Sequence, residues 1–252
     1  MTDRWSHYRL TLQRDDVDVN YPRFNGEETP LIVACQNGHL EVMRELLKHK
    51  NVDVNRRDEN NDTPLANASR YDNLEVVREL LKHKNVENVG EALEAAVTSV
   101  DSSFEIVCEL MKHDNVNVNY VNGYDNTPLI IASWWGDWKI ACELLKHNDV
   151  DVNIITTGLT NEDVDGYTKI PQSKRSRSQI LKEILNPEDW ELNLDFGYLK
   201  TPLIVATLKD NFNVACELLK HDKVDVNIGI EDGYTPLIWQ VASEVTKLFK
   251  SS

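Results

Sequence analysis

Three short motifs recur along the chain in a fixed order, and their spacing constrains the fold more than any other sequence feature. The string E-L-L-K-H, or its variant E-L-M-K-H, begins at Glu45, Glu79, Glu109, Glu143 and Glu217. V-D-V-N or V-N-V-N ends at Asn20, Asn55, Asn119, Asn153 and Asn227. T-P-L begins at Thr29, Thr63, Thr127, Thr201 and Thr235. Spacings of 34, 30, 34 and 74 residues between the first strings indicate one structural unit, copied along the chain and packed on its neighbours.

The segment from Thr29 to Asn55 predicts two helices followed by a turn. Thr29 can cap a helix, and Pro30 falls in the first turn, where its missing N–H costs nothing. Gly38 ends this helix. A broader apolar face then follows at helical spacing, formed by Leu40, Val42, Met43, Leu46 and Leu47. The alternating residues before Asn55 lead into a projecting β-turn finger.

This pattern resembles the ankyrin-repeat family over nearly the whole chain. T-P-L-x-x-A stands at residues 29–34, 63–68, 127–132 and 201–206. The resemblance implies an all-α solenoid of stacked helix pairs with projecting β-turn fingers, in a single domain of residues 1–252. It divides the chain into a half-repeat cap at 1–20, repeats starting near 29, 63, 91, 127, 168 and 201, and a terminal half repeat at 235–252.

Two copies depart from the pattern. In the copy near 91, residues 91–96 replace T-P-L-x-x-A, and residues 85–90 leave no room for a full finger. In the copy near 168, Asn153 and Thr168 are 15 residues apart, where Asn119 and Thr127 are 8 apart, and Pro171 falls inside the first helix. We expect a missing finger at the first copy and a weak unit, the first to open, at the second.

Composition limits the classes of function. The formal net charge of −15 disfavours nucleic acid and favours a protein partner with a basic surface. The start has no signal-peptide pattern, and no apolar stretch is long enough for a membrane span, so we expect a cytoplasmic protein, with the nucleus as the alternative. The four cysteines form no C-x-x-C pair, which argues against a zinc site or a disulfide framework. We expect the chain alone to be a monomer.

Other candidate chemistry has simpler explanations. Histidines recur at the ends of the second helices, at His49, His83, His113, His147 and His221. Stacked helices lie about 8–10 Å apart, too far for neighbouring histidines to share a zinc ion, so we interpret them as interacting with the helix dipole. The carboxylates accompany no nucleophile and no glycine-rich phosphate loop. We therefore predict no catalytic residues, no cofactor, no metal ligands and no enzymatic activity.

Aromatic residues at the ends of the first helices are the main candidates for binding. The resemblance places these positions on a concave, exposed side. Trp134 and Trp135 stand there, and two adjacent tryptophans cannot both face the core of a helix. Trp138 stands where other copies have leucine, so we predict that it is core. The predicted partner-binding residues are Trp134, Trp135, Tyr120, Tyr124, Tyr198, Phe24, Arg70 and Tyr71.

These observations predict a protein–protein interaction scaffold that binds its partner through the concave surface and the β-turn fingers. The alternative is a regulatory or inhibitory subunit, or a targeting module, of a larger enzyme or complex. The basic cluster at residues 174–177 is consistent with an import signal, a phosphorylation switch, a phosphate contact or a solvated helix. The sequence does not identify the partner.

Overall fold

A computed structural model describes residues 14, 17–22, 28–99, 103–155 and 201–228. The regular secondary structure in these ranges is helical, and they contain no β-strand. The repeat predicted near 168, the terminal half repeat at 235–252, the basic cluster at 174–177 and most of the cap at 1–20 lie outside the described residues, as do Phe24 and Tyr198. The chain forms two compact units, residues 1–120 and residues 121–252, which are described separately.

In the first unit, three helix pairs follow one another along the chain. Their helices are α1 (Pro30–Gln36), α2 (Leu40–Leu47), α3 (Pro64–Arg70), α4 (Leu74–Leu80), α5 (Val89–Thr98) and α6 (Phe104–Leu110). The first helices pack in the order α1, α3, α5, and the second helices in the order α2, α4, α6. This arrangement is the stack of helix pairs that the repeated motifs predict.

In the second unit, the described helices are α7 (Pro128–Trp135), α8 (Trp138–Leu145), α9 (Pro202–Leu208) and α10 (Phe212–Lys220). Helix α9 packs on α7, and α10 packs on α8. Each of these helices is short, so its stability comes from tertiary packing more than from intrinsic helix propensity.

The T-P-L threonines start the first helices as predicted. Thr63 has an extended backbone, and its hydroxyl accepts a hydrogen bond from the N–H of Ala66 at 3.2 Å. Thr29, Thr127 and Thr201 do the same for the N–H three residues later. The proline that follows each threonine occupies the first helical turn. Each such cap stabilises its helix by about 1 kcal/mol.

The core lies between the two helices of each pair and between neighbouring pairs. In the first repeat, the fully buried side chains include Leu31, Ile32, Met43 and Leu46. Leu40, Val42 and Leu47 are only half-buried, because they lie at the edges of the α2 apolar face. The predicted second-helix face is therefore confirmed, but its fully buried centre is narrower than the sequence suggests.

The shortened connection before α5 is confirmed. Only Glu87 and Asn88 separate the buried Val86 from the start of α5 at Val89. Asn88 takes a left-handed backbone with φ of 57° and gives no side-chain cap. This helix has no T-P-L motif to fix its start, and it begins two residues before Glu91. Glu91 is the first of residues 91–96, which replace T-P-L-x-x-A in the sequence.

Two glycines allow neighbouring repeats to approach closely. Gly38 follows α1 with φ of +67°, and a Cβ there would lie 2.5 Å from Oδ1 of Asn73. Gly136 follows α7 with φ of +74°, and its Cβ would lie 2.5 Å from Oδ1 of Asn211. Only glycine tolerates both the left-handed backbone and the lack of space. The two glycines thus occupy equivalent positions between stacked repeats.

The same asparagines join one repeat to the next. The Asn73 side-chain amide donates to the carbonyl oxygens of Cys35 and Gln36 at 2.8 and 2.9 Å. The Asn211 amide donates to the carbonyl oxygens of Ser133 and Trp134 at 2.8 and 3.0 Å. Helices α9 and α10 therefore stack on α7 and α8 as a directly adjacent repeat. The copy that the sequence predicts near 168 lies outside the described residues and stays a prediction.

A second set of inter-repeat hydrogen bonds comes from the last residue of V-D-V-N. The amide of Asn55 donates to the Asn85 carbonyl at 2.7 Å, and its oxygen accepts from the Glu87 N–H at 3.1 Å. Asn153 makes the same two bonds, at 2.7 and 2.8 Å, to the Lys223 carbonyl and the Asp225 N–H. Each of these asparagines thus joins its repeat to the next.

Candidate binding surface

The C-terminal end of α7 carries two tryptophans with different surroundings. Trp135 is 68% exposed, one of the most exposed large apolar side chains among the described residues. Trp134 is half-buried, and the Nζ atom of Lys209 lies 3.7 Å from the centre of one of its rings. The prediction that both indoles are exposed therefore holds for Trp135 and needs correction for Trp134, because the adjacent repeat supplies a lysine that covers this indole.

Trp138 is not a core residue, and its predicted burial is wrong. It is 46% exposed at the first position of α8. Leu40 and Leu74 occupy the equivalent position and are half-buried. This position lies at the edge of the helix pair, where a leucine fits against the core but an indole extends beyond it. The fully buried residues of α8 are Ile140, Ala141 and Leu144.

The finger before α3, residues 55–62, is fixed to the rest of the first unit by side chains. Asp58 is buried, and its Oδ1 accepts from the N–H groups of Asn60 and Asp62 at 2.9 and 3.0 Å. Its Oδ2 accepts from the amide of the buried Asn67 on α3 at 2.8 Å. Buried polar groups that satisfy each other in this way hold one conformation. The turn of this finger is therefore anchored directly to its helix.

Arg70, a predicted binding residue, makes an ion pair within its own repeat. Its Nε and Nη2 atoms donate to the two carboxylate oxygens of Asp62 at 3.1 and 2.9 Å. Burial lowers the pKa of Arg70, but the hydrogen bonds to Asp62 outweigh this effect and the net shift is upward. The ion pair joins the end of α3 to the finger at residues 55–62. These two parts therefore lie on the same side of the second repeat. Tyr71, the next residue, is 57% exposed.

A second ion pair joins the same finger to α5. Arg57 donates to both carboxylate oxygens of Glu91 at 3.0 and 2.8 Å, and it also donates to the carbonyl oxygen of Asn61. Glu91 is buried and also accepts from the N–H of Thr63. The hydrogen bonds with Glu91 raise the pKa of Arg57. The contact links the second repeat to the third, whose own finger is missing.

Tyr120 lies near the Arg57–Glu91 ion pair and is not an exposed aromatic residue. It is half-buried at the end of the first unit. Burial raises its pKa, and the negative charges of Glu91 and Glu94 raise it further. Tyr124, in the second unit, is 64% exposed. The turn that carries Tyr124 is closed by Asn122, whose side-chain oxygen accepts from the N–H groups of Tyr124 and Asn126 at 3.0 Å.

The predicted residues therefore fall into separate groups. Trp134 and Trp135 share one helix end, and Arg70 and Tyr71 share another. The sequence interpretation did not predict the contacts made by Lys209, Arg57, Asp58, Asn67 and Glu91. For Asn67 and Glu91 a signal existed: Asn67 stands where the other T-P-L-x-x-A copies have valine or isoleucine, and Glu91 stands in the position of the capping threonine. Nothing in the local sequence indicates that Lys209 covers Trp134.

The histidine column acts through hydrogen bonding. Nδ1 of His49 accepts from the N–H of Asn51 at 3.3 Å, and His83, His113, His147 and His221 make the same bond to the N–H two residues later. These bonds close the turn after each second helix, a function that the sequence interpretation, an interaction with the helix dipole, did not include. Among the described residues, no group of three or more metal-ligating side chains occurs.

No helix in the described part of the chain is both long enough and apolar enough to span a membrane. The described cysteines form no disulfide; Cys35 is buried and Cys216 is exposed.

Comparisons with known proteins agree with the repeat architecture. A family model for ankyrin repeats in three copies matches residues 8–90, and a model for a single ankyrin repeat matches residues 124–157. A search of curated proteins finds no match.

Solved structures with a similar fold include ankyrin repeat domains from several sources. The domain of Bcl-3 aligns with a TM-score of 0.68 and 16% identity, over 97% of this chain and 91% of that one. The human ASB11 domain has a TM-score of 0.59 and 20% identity, over 96% and 94%. A domain from Acinetobacter baumannii has a TM-score of 0.59 and 20% identity, over 87% and 95%.

The phased motifs, the threonine-capped helix pairs and the matching family models all lead to the same conclusion. Ankyrin repeats generally mediate protein–protein interaction. The chain belongs to the ankyrin-repeat family.

Proposed function

We propose that this protein is an interaction scaffold that binds a partner protein through the ends of its first helices and its fingers. The observation that carries the proposal is the exposure of Trp135 at the end of α7. Tryptophan and tyrosine dominate binding hot spots, and Tyr71 and Tyr124 add exposed rings at a helix end and in a finger.

The fixed geometry of the α3 finger supports the proposal. The Asp58–Asn67 and Arg70–Asp62 contacts hold this finger and the end of α3 on one side of the repeat. A surface ordered before binding loses less conformational entropy when the partner arrives. The exposed Tyr71, at the end of the same helix, is therefore presented on a rigid support.

A comparison of two tryptophan variants tests the proposal. We expect Trp135→Ala to leave the fold intact, because the side chain is mostly exposed, and to weaken partner binding by roughly 2 kcal/mol, as hot-spot truncations do. The matched control is Trp138→Ala, which removes another exposed indole, in this case from the start of a second helix. Trp134→Ala is a poorer test because it also removes the contact with Lys209.

The measurement is affinity capture from a lysate of the source organism, with quantitative mass spectrometry of the captured proteins. Proteins retained by the wild type and by Trp138→Ala but lost with Trp135→Ala are the expected result. If both variants retain the same proteins in equal amounts, the binding surface lies elsewhere and the proposal for Trp135 is wrong.

A regulatory or inhibitory subunit is the second candidate. One similar structure, with a TM-score of 0.54 and 21% identity, is a chain from the complex of the endopeptidase Bd0816 of Bdellovibrio bacteriovorus with the immunity protein Bd3460, aligned over 90% of this chain and 99% of that one. An activity assay distinguishes the two candidates. If the activity of a captured enzyme changes when the pure chain is added, the result supports a regulatory subunit. If the activity does not change, the result supports a scaffold.

A further inference from the structure

We propose that the exposed ring of Trp135 binds a positively charged side chain of the partner, arginine or lysine. This inference rests on the proposed function and adds the chemistry of the partner's contact. It starts from the one cation–aromatic contact that the structure describes at this helix end, between Lys209 and Trp134.

The contact with Lys209 shows that a tryptophan at the end of α7 can bind a positively charged group. Nζ lies 3.7 Å from the centre of the Trp134 ring, close enough for attraction between the ammonium group and the ring face. Lys209 and Trp135 occupy equivalent positions of their repeats. Trp135 is the last residue of α7, and Lys209 directly follows the last residue of α9. A cation of the chain itself thus covers one indole, and the neighbouring indole stays 68% exposed.

The end of α7 also favours a positive charge. Trp135 is the last residue of the helix, where the backbone carbonyl groups give a partial negative charge. The chain as a whole has a formal net charge of −15, which attracts basic partners and speeds their association. An apolar partner residue would cover the indole equally well but would gain nothing from this charge.

The finger of the same repeat supplies a second ring. In the second repeat, Arg70 at the helix end reaches Asp62, the residue before the capping threonine. Trp134 and Asn126 occupy the equivalent positions of the fourth repeat, so by this equivalence we expect this helix end and its finger to lie on the same side of the repeat. Tyr124 lies in that finger and is 64% exposed. Trp135 and Tyr124 therefore offer two aromatic faces to one partner segment.

Paired peptides that differ only in charge test the proposal on the full chain. The probes are Ac-GRGRGRG-NH₂ and the same peptide with citrulline, which keeps the shape of arginine but not its charge. The signal is the indole N–H resonance of Trp135, assigned with a Trp135→Phe variant. We expect this resonance to shift with the arginine peptide and to report an affinity about two- to fivefold higher than for citrulline. Added salt should reduce the difference.

Two outcomes would overturn the proposal. The first is equal affinity for both peptides, or no shift of the Trp135 resonance with the arginine peptide. The second is a concentration-dependent shift of this resonance without peptide, which would assign the indole to contact between copies of the chain. Trp138→Leu is the control variant, and its Trp135 resonance should report the same preference for the arginine peptide as the wild type.

The result separates this inference from the proposed function. If Trp135→Ala loses captured proteins but the peptides show no preference for arginine, the scaffold proposal stands and the cation inference is wrong. If Trp135→Ala loses no captured protein, the scaffold proposal for this residue is wrong, whatever the peptides show.

Discussion

At the residue scale, Trp134 and Trp135 show how identical neighbours acquire different environments. Successive residues on a helix point about 100° apart, so one indole turns toward the next repeat and the other toward solvent. Lys209 covers the first, and the second stays exposed. The sequence could place both at the end of a helix but could not assign their different exposure, because the covering lysine is 75 residues away in the chain.

The cysteines give a prediction at the same scale. Burial raises the pKa of the Cys35 thiol, and burial together with the nearby Glu217 carboxylate raises that of Cys142. A raised pKa means less reactive thiolate at a given pH. We expect iodoacetamide at a pH of about 8 to label the exposed Cys216 first, Cys142 more slowly, and Cys35 only after unfolding.

Mass spectrometry of the labelled peptides measures this order. Glu217→Gln removes a negative charge that disfavours the Cys142 thiolate, so the pH at which Cys142 becomes reactive should fall. The labelling of Cys35 is the internal control and should not change in the folded variant. Rapid labelling of Cys35 under native conditions would contradict the buried position of this thiol.

At the element scale, the α3 finger is built from polar side chains in positions where other repeats use apolar ones. Asn67 replaces the valine or isoleucine of the other T-P-L-x-x-A helices, and its amide reaches Asp58 in the finger. The turn before α7 has the same backbone closure through Asn122, but Ile131 stands at the position of Asn67. This side-chain anchor between finger and helix therefore depends on a single residue of the repeat.

The Arg57–Glu91 pair allows a test of how the second repeat is joined to the third. Arg57→Ala leaves the buried Glu91 carboxylate without its bidentate partner, and we expect a loss of about 2 kcal/mol in the free energy of unfolding. Arg44→Ala is the matched control: its contact with Glu41 is exposed and its contact with Glu79 is half-buried, so we expect a smaller loss of stability than for Arg57→Ala.

Urea denaturation followed by circular dichroism measures both variants. Equal losses for Arg57→Ala and Arg44→Ala would mean that the Arg57–Glu91 pair is as weak as a surface pair. An Arg57→Lys variant keeps the charge but loses the bidentate geometry, so its stability should lie between those of the wild type and Arg57→Ala.

At the scale of the whole molecule, α9 and α10 stack on α7 and α8, although residues 146–201 separate the two helix pairs in the chain. Repeat proteins are stabilised by contacts between nearest neighbours. The Asn211 and Asn153 hydrogen bonds, the close approach at Gly136 and the packing of α9 on α7 make this pair of repeats direct neighbours. We therefore expect these two cores to stay packed together when the intervening sequence is replaced.

A finger graft tests this conclusion. We expect a variant in which residues 154–200 are replaced by the residues at 120–126 to keep α7–α10 folded, because that segment links Asn119 to Thr127 in the same way. The measurements are helical circular dichroism and amide hydrogen exchange of residues 128–145 and 202–220. Loss of protection at 202–220 in the graft would show that the replaced residues are needed for the stack. Adding Asn153→Ala to the graft should weaken it further, since two inter-repeat hydrogen bonds are lost.

The sequence by itself determined the repeated unit. The threonine cap and the proline after it start four of the five described first helices, and Gly38 and Gly136 end helices where a left-handed backbone is needed. These are local properties of the chain, so spacing and residue type predict them. The missing finger before α5 followed in the same way, because too few residues lie between Val86 and Val89.

The tertiary structure alone decided which side chains are available for binding and which repeats are neighbours. Lys209 covers Trp134, Asp62 pairs with Arg70, and Trp138 extends beyond the core at an edge position. Each outcome depends on a contact between distant parts of the chain or on the space left by a neighbour. A sequence motif recurs in each repeat, but the exposure and the partners of a side chain depend on the residues that pack against it. Those residues are brought together only when the repeats stack.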